Sequence, residues 1–184
     1  MKIVCISDTH GEHDSVQLPE ADMIIHAGDF SSSSLQYDVE GFLNWFSSLN
    51  YKYKIFIAGN HDFLFERRPE FARSLIPERI VYLEETGVTI EGLNIWGTPI
   101  TPYYYGWAFN RMAGDQIENH HKKIPDKLDI LISHGPPYGI LDRNSHGQHS
   151  GCTSLLKRIE SVKPKYVLCG HIHEGYGTDK LGES

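Results

Sequence analysis

Five short apolar segments of this chain are each followed, within a few residues, by a side chain that can bind a metal ion. The segments and their successors are Ile3-Val4-Cys5-Ile6 before Ser7-Asp8-Thr9-His10, Met23-Ile24-Ile25 before Gly28-Asp29, Ile55-Phe56-Ile57-Ala58 before Gly59-Asn60-His61-Asp62, Ile130-Leu131-Ile132 before Ser133-His134-Gly135, and Tyr166-Val167-Leu168-Cys169 before Gly170-His171-Ile172-His173. Short β-branched runs bounded by Gly or Asp are typical of buried parallel strands. Because open α/β sheets bind ligands at the carboxyl ends of their strands, these segments predict one convergent metal site.

Helical periodicity separates the predicted strands. Apolar side chains recur at helical spacing over residues 39–49, 71–76 and 155–162, which predicts three amphipathic helices. Ser33 with Gln36 forms a candidate capping box at the start of the first helix. Strands that alternate with helices indicate an α/β fold.

The middle of the chain has a different pattern. Segments 81–83, 88–90 and 93–96 are short apolar runs separated by turn residues, and they predict an antiparallel meander at the edge of a second sheet. A dense aromatic patch follows, consisting of Tyr103, Tyr104, Tyr105, Trp107 and Phe109. We interpret the patch as a packed loop and keep a base-stacking platform as the alternative.

Length and charge limit the class of protein. The 184 residues, 40% hydrophobic and 22% charged, are enough for one globular domain and too few for two ordinary ones. We therefore expect a single domain over residues 1–184. The net charge of −7 and the lack of a Lys/Arg cluster argue against long nucleic acid as a partner. Small anionic substrates stay compatible with this charge if bound cations offset it locally.

The cysteines and the apolar segments predict a location. Three cysteines are an odd count without framework spacing; Cys5 and Cys169 lie in apolar runs and are expected to be buried thiols, as in a reducing compartment. The N-terminus enters a predicted strand directly, so no signal peptide is expected. No apolar segment reaches the ~18 residues that span a membrane. We expect a cytoplasmic protein with no membrane partner; the sequence carries no signal for its oligomeric state.

The residue types after the five segments define the chemistry. Asp62 apart, two Asp, one Asn and five His suit divalent ions such as Mn²⁺, Fe²⁺, Zn²⁺ or Mg²⁺. No Cys belongs to the set, which argues against a structural zinc site. Eight groups are too many for one tetrahedral ion but suit two ions that share a carboxylate. Two metals ~3.5–4 Å apart are suited to in-line displacement at phosphorus.

These motifs resemble the calcineurin-like metallophosphoesterase family. The family pattern is D-x-H, G-D, G-N-H-D/E, a lone H before G, and G-H-x-H, and every element occurs here in that order between residues 3 and 173. The resemblance implies an α/β fold of two facing mixed β-sheets flanked by helices. It also implies two divalent metal ions, with manganese expected first and iron, zinc or magnesium as alternatives, and hydrolysis of a small phosphoester by a metal-bridging hydroxide.

The resemblance assigns roles to individual residues. The implied metal ligands are Asp8, His10 and His173 for the first ion, Asn60, His134 and His171 for the second, and Asp29 as the bridge. The implied catalytic residues are His61, which binds the phosphate and assists the leaving group, and Asp62, which orients His61.

A narrower resemblance is to the small metallophosphoesterase-domain-containing branch, which is related to a brain-expressed animal group. Trp107-Ala108-Phe109-Asn110 and Gly170-His171-Ile172-His173-Glu174-Gly175-Tyr176-Gly177 carry this resemblance. The branch is associated with phosphodiesterase activity on small substrates such as cyclic nucleotides. Its members usually continue after Gly177 with another strand, whereas this sequence stops at Ser184. Either the domain lacks that C-terminal strand or the sequence is a truncated form.

Other functions remain as alternatives. A phosphomonoesterase of the protein phosphatase type would carry an Arg shortly after the G-D motif, where this chain has Phe30 and four serines. The acidic charge disfavours a nuclease, and retention of all eight groups disfavours a catalytically silent metal-binding scaffold. We favour an ordinary loop over a substrate-binding role for Arg143, His146 and His149.

Overall fold

The computed structural model describes residues 1–32 and 35–180, and it contains ten strands and five α-helices in those ranges. In chain order they are β1 (Ile3–Ile6), β2 (Met23–His26), α1 (Gln36–Ser48), β3 (Tyr53–Phe56), α2 (Phe63–Arg67), α3 (Pro69–Ser74), β4 (Ile80–Tyr82), β5 (Thr86–Ile90), β6 (Leu93–Thr98), β7 (Thr101–Pro102), β8 (Asn110–Arg111), α4 (Asp115–His121), β9 (Ile130–Ser133), α5 (Thr153–Val162) and β10 (Tyr166–Leu168). None of these helices combines the length and the apolar character that a bilayer crossing needs.

The strands form two four-stranded sheets and one small two-stranded sheet. The first sheet has the order β1-β2-β3-β4, and its three pairings are parallel. The second has the order β10-β9-β6-β5 and is mixed, because β5 and β6 pair antiparallel whereas the other two pairings are parallel. β7 and β8 pair with each other. The predicted α/β fold of two sheets is confirmed.

Alternate residues along the strands belong to different cores, because successive side chains of a strand point to opposite faces. Met23 and Ile25 of β2 belong to the same buried cluster as Ile130 and Ile132 of β9, so this cluster lies between the two sheets. Ile24, the intervening residue, belongs instead to the cluster that contains the buried stripe of α1. Helices therefore cover the outer faces of a two-sheet sandwich.

The predicted meander is only partly correct. β5 and β6 form the expected antiparallel hairpin, but β4 pairs parallel with β3 and is the edge strand of the first sheet. A short turn that includes Glu85, which has a left-handed φ of 49°, carries the chain from β4 to the second sheet. Spacing along the chain locates strands, but their pairing depends on contacts between distant segments, and here the open edge of β3 takes β4.

The three predicted helical stripes lie on helices. In α1 the residues Val39, Phe42, Leu43 and Phe46 are buried, and α5 buries Leu155 and Ile159. The middle helix, α3, ends at Ser74, so it is shorter than its apolar stripe. Ser33 of the candidate capping box lies outside the described residues, and the Gln36 side chain donates a hydrogen bond to Glu40 Oε1 at 2.8 Å.

The prediction of buried thiols is wrong for Cys5. Cys5 is exposed and Cys169 is of intermediate exposure, whereas Cys152 is buried; all three are free thiols. The physical reason is the position of the strands: β1 and β10 are edge strands of their sheets. An apolar run on an edge strand is covered on fewer sides than one in the middle of a sheet.

Candidate metal centre

The loops that follow five parallel strands bring the predicted ligands into one cleft. The loops after β1, β2 and β3 carry Asp8, His10, Asp29, Asn60 and His61, and the loops after β9 and β10 carry His134, His171 and His173. The ligand atoms form three groups, and the atoms within each group lie within 4.8 Å of one another. The groups are Asp8 with His10 and His173, His10 with Asp29 and His61, and Asp29 with His134 and His171. A cleft of about 400 Å³ opens above them. The convergence predicted from the strand ends is present in the structure.

Four of the predicted ligands have a left-handed backbone. The φ angles are 53° at Asp8, 44° at His10, 56° at Asp29 and 71° at His171. This conformation is uncommon for residues other than Gly and costs on the order of 1–3 kcal/mol each where it is strained. Backbone hydrogen bonds fix it: Asp8 N–H donates to Gly28 O at 2.9 Å and His10 N–H to Asp29 O at 3.0 Å. The sharp turn after each strand is therefore held in place by the neighbouring loop.

Two glycines of the motifs are required by close approach. A Cβ atom on Gly59 would collide with Asp29 Oδ1 and with the His134 ring, and a Cβ atom on Gly170 would collide with Asp8 Oδ2. The glycine before each ligand thus makes room for a carboxylate from another loop. This explains in physical terms why Gly precedes the ligand in both motifs.

The two carboxylate oxygens of Asp29 face different partners. Oδ1 accepts a hydrogen bond from His61 N–H at 2.8 Å and lies 3.4 Å from His134 Nε2. Oδ2 lies 3.9 Å from His10 Nε2 and 3.9 Å from His61 Nε2. Burial raises the pKa of Asp29, but the charge and hydrogen bond of His134 outweigh burial and hold this pKa well below its usual range. Asp29 is therefore an ionised carboxylate placed between two sets of imidazoles.

Asp62 holds the loop that carries Asp29. Its Oδ1 accepts from Ser31 N–H at 3.0 Å and Ser31 Oγ–H at 2.7 Å, and its Oδ2 accepts from Asp29 N–H at 3.0 Å and Gly59 N–H at 2.7 Å. Among the described residues it makes no hydrogen bond to the His61 ring; its observed contacts hold the Asp29 and Gly59 backbone, and the orienting role expected for Asp62 stays a prediction. Burial and the charge of Asp29 raise the pKa of Asp62 to about 7 despite these hydrogen bonds.

Asp8 connects the two sheets at the site. The backbone N–H of His171, after β10, donates to both Asp8 oxygens at 3.0 Å each. Gly170 N–H donates to His134 O at 2.9 Å, which ties the loop after β10 to the loop after β9. His173 Nε2 lies 3.7 Å from Asp8 Oδ1 and 3.4 Å from His10 Nε2. The group formed by Asp8, His10 and His173 thus spans both sheets.

His134 shows that the site fits a cation. Its Nδ1 lies 2.9 Å from the Ala27 carbonyl oxygen, which can only accept, so Nδ1 carries the proton and the Nε2 lone pair is directed into the site. Nε2 lies 2.9 Å from Asn60 Oδ1 and 3.4 Å from Asp29 Oδ1. With the Asn60 amide in this orientation, three acceptor atoms face one another: His134 Nε2, Asn60 Oδ1 and Asp29 Oδ1. They repel one another unless a positive charge lies among them.

The same place attracts a proton when no metal is bound. Burial lowers the pKa of His134, but the carboxylate of Asp29 outweighs burial, and the pKa rises to about 9. Burial lowers the pKa of the neighbouring His171 to about 3, so its imidazole is neutral at pH 7. Neutral imidazole, amide oxygen and carboxylate are ligands of borderline and hard divalent ions. The donor set therefore fits a divalent metal ion.

His26, the last residue of β2, supports the site from behind. It is fully buried, its Nδ1 accepts from Gly28 N–H at 3.2 Å, and its Nε2 lies 3.0 Å from Thr9 Oγ1. Burial lowers the pKa of His26 to about 3, so the ring is neutral. One imidazole thus joins the loop of Asp8 and His10 to the loop of Asp29.

His61 lies between two aromatic rings at the mouth of the cleft. Its ring centroid is 4.6 Å from that of His10 and 4.2 Å from that of Trp107. Burial lowers the pKa of His61, and the Asp29 carboxylate opposes this effect. His61 Nε2 and His10 Nε2 are both 3.9 Å from Asp29 Oδ2. These distances therefore do not show which of the two histidines is a metal ligand, and that assignment comes from the sequence motif.

The aromatic patch is divided between core and cleft. Phe109 is buried, in agreement with the packed-loop interpretation, whereas Tyr103, Tyr104 and Tyr105 are exposed. Tyr104 and Trp107 line the cleft beside the candidate ligands. The packed-loop interpretation is therefore wrong for the three tyrosines, because their loop projects over the cleft instead of folding onto the core.

The loop that contains Arg143, His146 and His149 contributes none of the described residues that line the cleft. His149 Nδ1 lies 2.6 Å from Asp142 Oδ1, and Arg143 Nη1 donates to Gly147 O at 2.8 Å. Asp142 also accepts from Gly139 N–H at 2.9 Å. These contacts organise the loop itself.

The chain is similar to known proteins over nearly its whole length. Residues 1–175 match the family model described as calcineurin-like phosphoesterase. The proteins named metallophosphoesterase domain-containing protein 1 from Homo sapiens and Mus musculus are each 40% identical to the chain over 202 residues, covering 96% of the chain and 61% of the relative. The chain thus spans about three fifths of the length of these curated relatives, at 61%.

Two further similarities are more distant in sequence. The 3',5'-cyclic adenosine monophosphate phosphodiesterase CpdA of Escherichia coli (strain K12) is 26% identical, covering 89% of the chain and 58% of that protein. A solved crystal structure superposes with a TM-score of 0.69 over 93% of the chain and 84% of its own length. Its sequence identity of 17% means that this likeness shows the fold alone.

Proposed function

The chain belongs to the calcineurin-like phosphoesterase family, a family of hydrolases, and from that premise we propose that it hydrolyses small phosphodiesters with two divalent metal ions. The observation that carries the proposal is the placement of Asp29. One of its oxygens faces His134 and the other faces His10 and His61. A single carboxylate directed to two histidine sets is what a bridging ligand requires.

The ligand assignment follows from the groups around Asp29. Asp8, His10 and His173 would hold one ion, and Asn60, His134 and His171 would hold the other. Two divalent ions bound there would lower the pKa of water to supply a nucleophile and offset charge on the phosphoryl oxygens. Manganese is the first choice, since carboxylate and amide oxygens suit it, whereas the imidazoles keep iron and zinc as alternatives.

His61 is proposed as the general acid. Its imidazole borders the cleft, with Nε2 3.9 Å from Asp29 Oδ2, and the ring is held between those of His10 and Trp107. A phosphoester bound in the cleft would raise the pKa of His61, because an adjacent anion favours the protonated imidazole. The Nε2 proton would then pass to the departing alkoxide.

Charge favours a diester over a monoester. Among the described residues that line the cleft there is no Lys or Arg, so the protein itself supplies no fixed positive charge to a substrate. A diester carries one negative charge, whereas a monoester dianion would bring a second one close to Asp29 and Asp8. Two bound divalent ions would outweigh the charge of these carboxylates, so the preference for a diester rests on the lack of a Lys or Arg among the described lining residues that could bind the second charge of a monoester. A protein phosphatase would have an Arg shortly after the G-D motif. This chain has Phe30 directly after that motif, and its side chain is fully buried.

The three free thiols support a reducing compartment, in agreement with the proposed cytoplasmic location. Small phosphoesters are the proposed partners, and long nucleic acid is disfavoured by the net charge of −7.

Assays of metal-reconstituted protein test the proposal. Protein stripped with a chelator and loaded with Mn²⁺ should hydrolyse bis(p-nitrophenyl) phosphate and cyclic nucleotides with a higher kcat/KM than p-nitrophenyl phosphate. Asp29→Asn, which preserves the shape of the side chain, should abolish turnover, whereas the exposed Asp115→Asn should leave it unchanged. A preference for the monoester would contradict the substrate class. Metal binding without turnover of any ester would instead support the scaffold alternative.

A further inference from the structure

Two aromatic side chains line the cleft beside the candidate ligands. The lining residues are His10, Asp29, Asn60, His61, His171 and His173, together with Tyr104 and Trp107. Tyr104 is 63% exposed although it borders the cleft. The proposed function uses the histidines, the carboxylate and the amide. It uses Trp107 only to hold the His61 ring and leaves the Tyr104 ring without a task.

The loop that carries these rings is rigidly braced. Tyr104 N–H donates to Asn110 Oδ1 at 2.8 Å, and Asn110 Nδ2 donates to Thr101 Oγ1 at 2.8 Å, where Thr101 is fully buried. Trp107 N–H donates to Tyr104 O at 3.2 Å. The Tyr104 backbone is thus fixed to the core through one side chain, which limits the ordering cost when a ligand contacts the ring.

The same loop is tied to the proposed metal site. Ala108 N–H donates to the backbone carbonyl of Asn60 at 3.2 Å, and the Trp107 ring packs on His61 with centroids 4.2 Å apart. The aromatic rings therefore have a defined position relative to the phosphate site. A group attached to a phosphate in the cleft would meet them at a fixed place.

We propose that Tyr104, together with Trp107, forms a stacking subsite for a planar aromatic ring of the substrate, a nucleobase in the first instance. The inference rests on the proposed function, because it places this ring on the same molecule as the phosphoester. Exposed aromatic rings stack on any nucleobase, since every base has a π-face. Because no Lys or Arg is among the described lining residues, the subsite selects for flat shape and not for further negative charge.

Tyr104 is the specificity-determining residue that can be tested cleanly. Trp107 contacts His61 and lies 5.9 Å from Phe63 between ring centroids, so its removal would disturb the proposed general acid as well. The Tyr104 ring contacts the ring of Tyr105 on the same exposed turn, with centroids 4.5 Å apart. Replacing Tyr104 therefore removes a stacking surface and leaves the candidate ligands in place.

Equilibrium binding gives a readout that does not depend on turnover. Calorimetry on Mn²⁺-loaded protein would compare adenosine 5'-monophosphate with ribose 5-phosphate, which differ only in the base. Wild-type protein should bind the nucleotide roughly 5- to 150-fold more tightly, the range expected for one stacked base. Tyr104→Ala should bring this ratio close to one without changing the affinity for ribose 5-phosphate, and Tyr104→Phe should preserve it.

Controls separate stacking from general damage. Tyr37→Ala removes an equally exposed tyrosine on α1 and should leave the ratio unchanged. Metal content of each variant must match wild type. A second pair of ligands, phenyl phosphate and methyl phosphate, shows which rings the subsite accepts. Tighter binding of phenyl phosphate indicates a general aryl subsite, and equal binding of the two indicates a subsite that needs the larger base.

The outcomes distinguish this inference from the proposed function. A wild-type ratio of one, a failure of the nucleotide to bind, or an equal loss for both ligands in Tyr104→Ala would overturn the subsite. Turnover of diesters together with a ratio of one would leave the proposed function intact and reject the inference. A high, Tyr104-dependent ratio without turnover of any ester would support the subsite and reject the hydrolase assignment.

Discussion

Replacing Asp62 by Asn tests whether this buried carboxylate holds the loop of Asp29 in place. Four hydrogen bonds converge on it, two from Ser31 and one each from the backbone N–H groups of Asp29 and Gly59. An amide keeps one acceptor oxygen, which can still serve Asp29 and Gly59. Its NH₂ group then faces Ser31, where the hydroxyl can rotate to accept but the backbone N–H cannot.

The structure therefore sets the size of the effect. One buried N–H donor loses its partner, which costs about 1–3 kcal/mol of unfolding free energy. For a domain of this length 1 kcal/mol corresponds to about 2–4 °C in the midpoint of thermal unfolding, so this midpoint should fall by about 2–12 °C in Asp62→Asn. Asp62→Asn also removes a negative charge close to Asp29, which stabilises the fold. The expected decrease of the midpoint is therefore toward the lower end of this range. Asp62→Ala, which removes both acceptors, should be more destabilising.

Burial raises the pKa of Asp62 to about 7, so calorimetry of chelator-treated protein at pH 8 measures the effect on the ionised carboxylate. The matched control is Asp14→Asn, which makes the same chemical change at an exposed position and should leave the midpoint unchanged. Equal midpoints for Asp62→Asn and wild type would refute the reasoning, because they would show that the four hydrogen bonds do not hold the loop.

Three further outcomes are expected. Asp29→Ala should lose more metal on dialysis than Asp8→Ala, because a bridging ligand serves both ions; equal retention would reject the bridge. His61→Ala should keep its metal but lose turnover by roughly 10²–10⁴-fold, and less with a nitrophenolate leaving group; a variant that loses metal contradicts the assignment. Although burial lowers it, the pKa of His134 is raised to about 9 by Asp29, so metal-free protein should lose stability as pH rises from about 6.5 to 9. Mn²⁺ affinity should rise over the same window, because the imidazole must be neutral to bind, and metal titration with thermal melts across that window checks both signs.

Much of the fold follows from local pattern. The segments that became β1, β2, β3, β9 and β10 were identifiable because each is a short apolar run that ends at a turn residue. The short helices α2 and α4, five and seven residues long, were missed because so few residues do not establish a helical period. Strand pairing was beyond local pattern, as the placement of β4 in the first sheet demonstrates.

The site divides in the same way. The motif spacing and the family resemblance named the seven candidate ligands, and the structure brings them to one place. The loop-holding role of Asp62 and the support given by His26 were not predictable, since both depend on hydrogen bonds between loops that are distant in sequence. The exposure of Tyr104 was missed because aromatic residues in a row are as typical of a packed loop as of an open one.

The candidate ligands belong to both sheets: those from Asp8 to Asn60 follow strands of the first, and His134, His171 and His173 follow strands of the second. Between them the hydrophobic core ends, and the contacts that remain are polar, such as the hydrogen bonds from His171 N–H to Asp8. A cation bound there acts as a cross-link that closes one end of the sandwich. The stability of that end would then depend on bound metal as well as on packing.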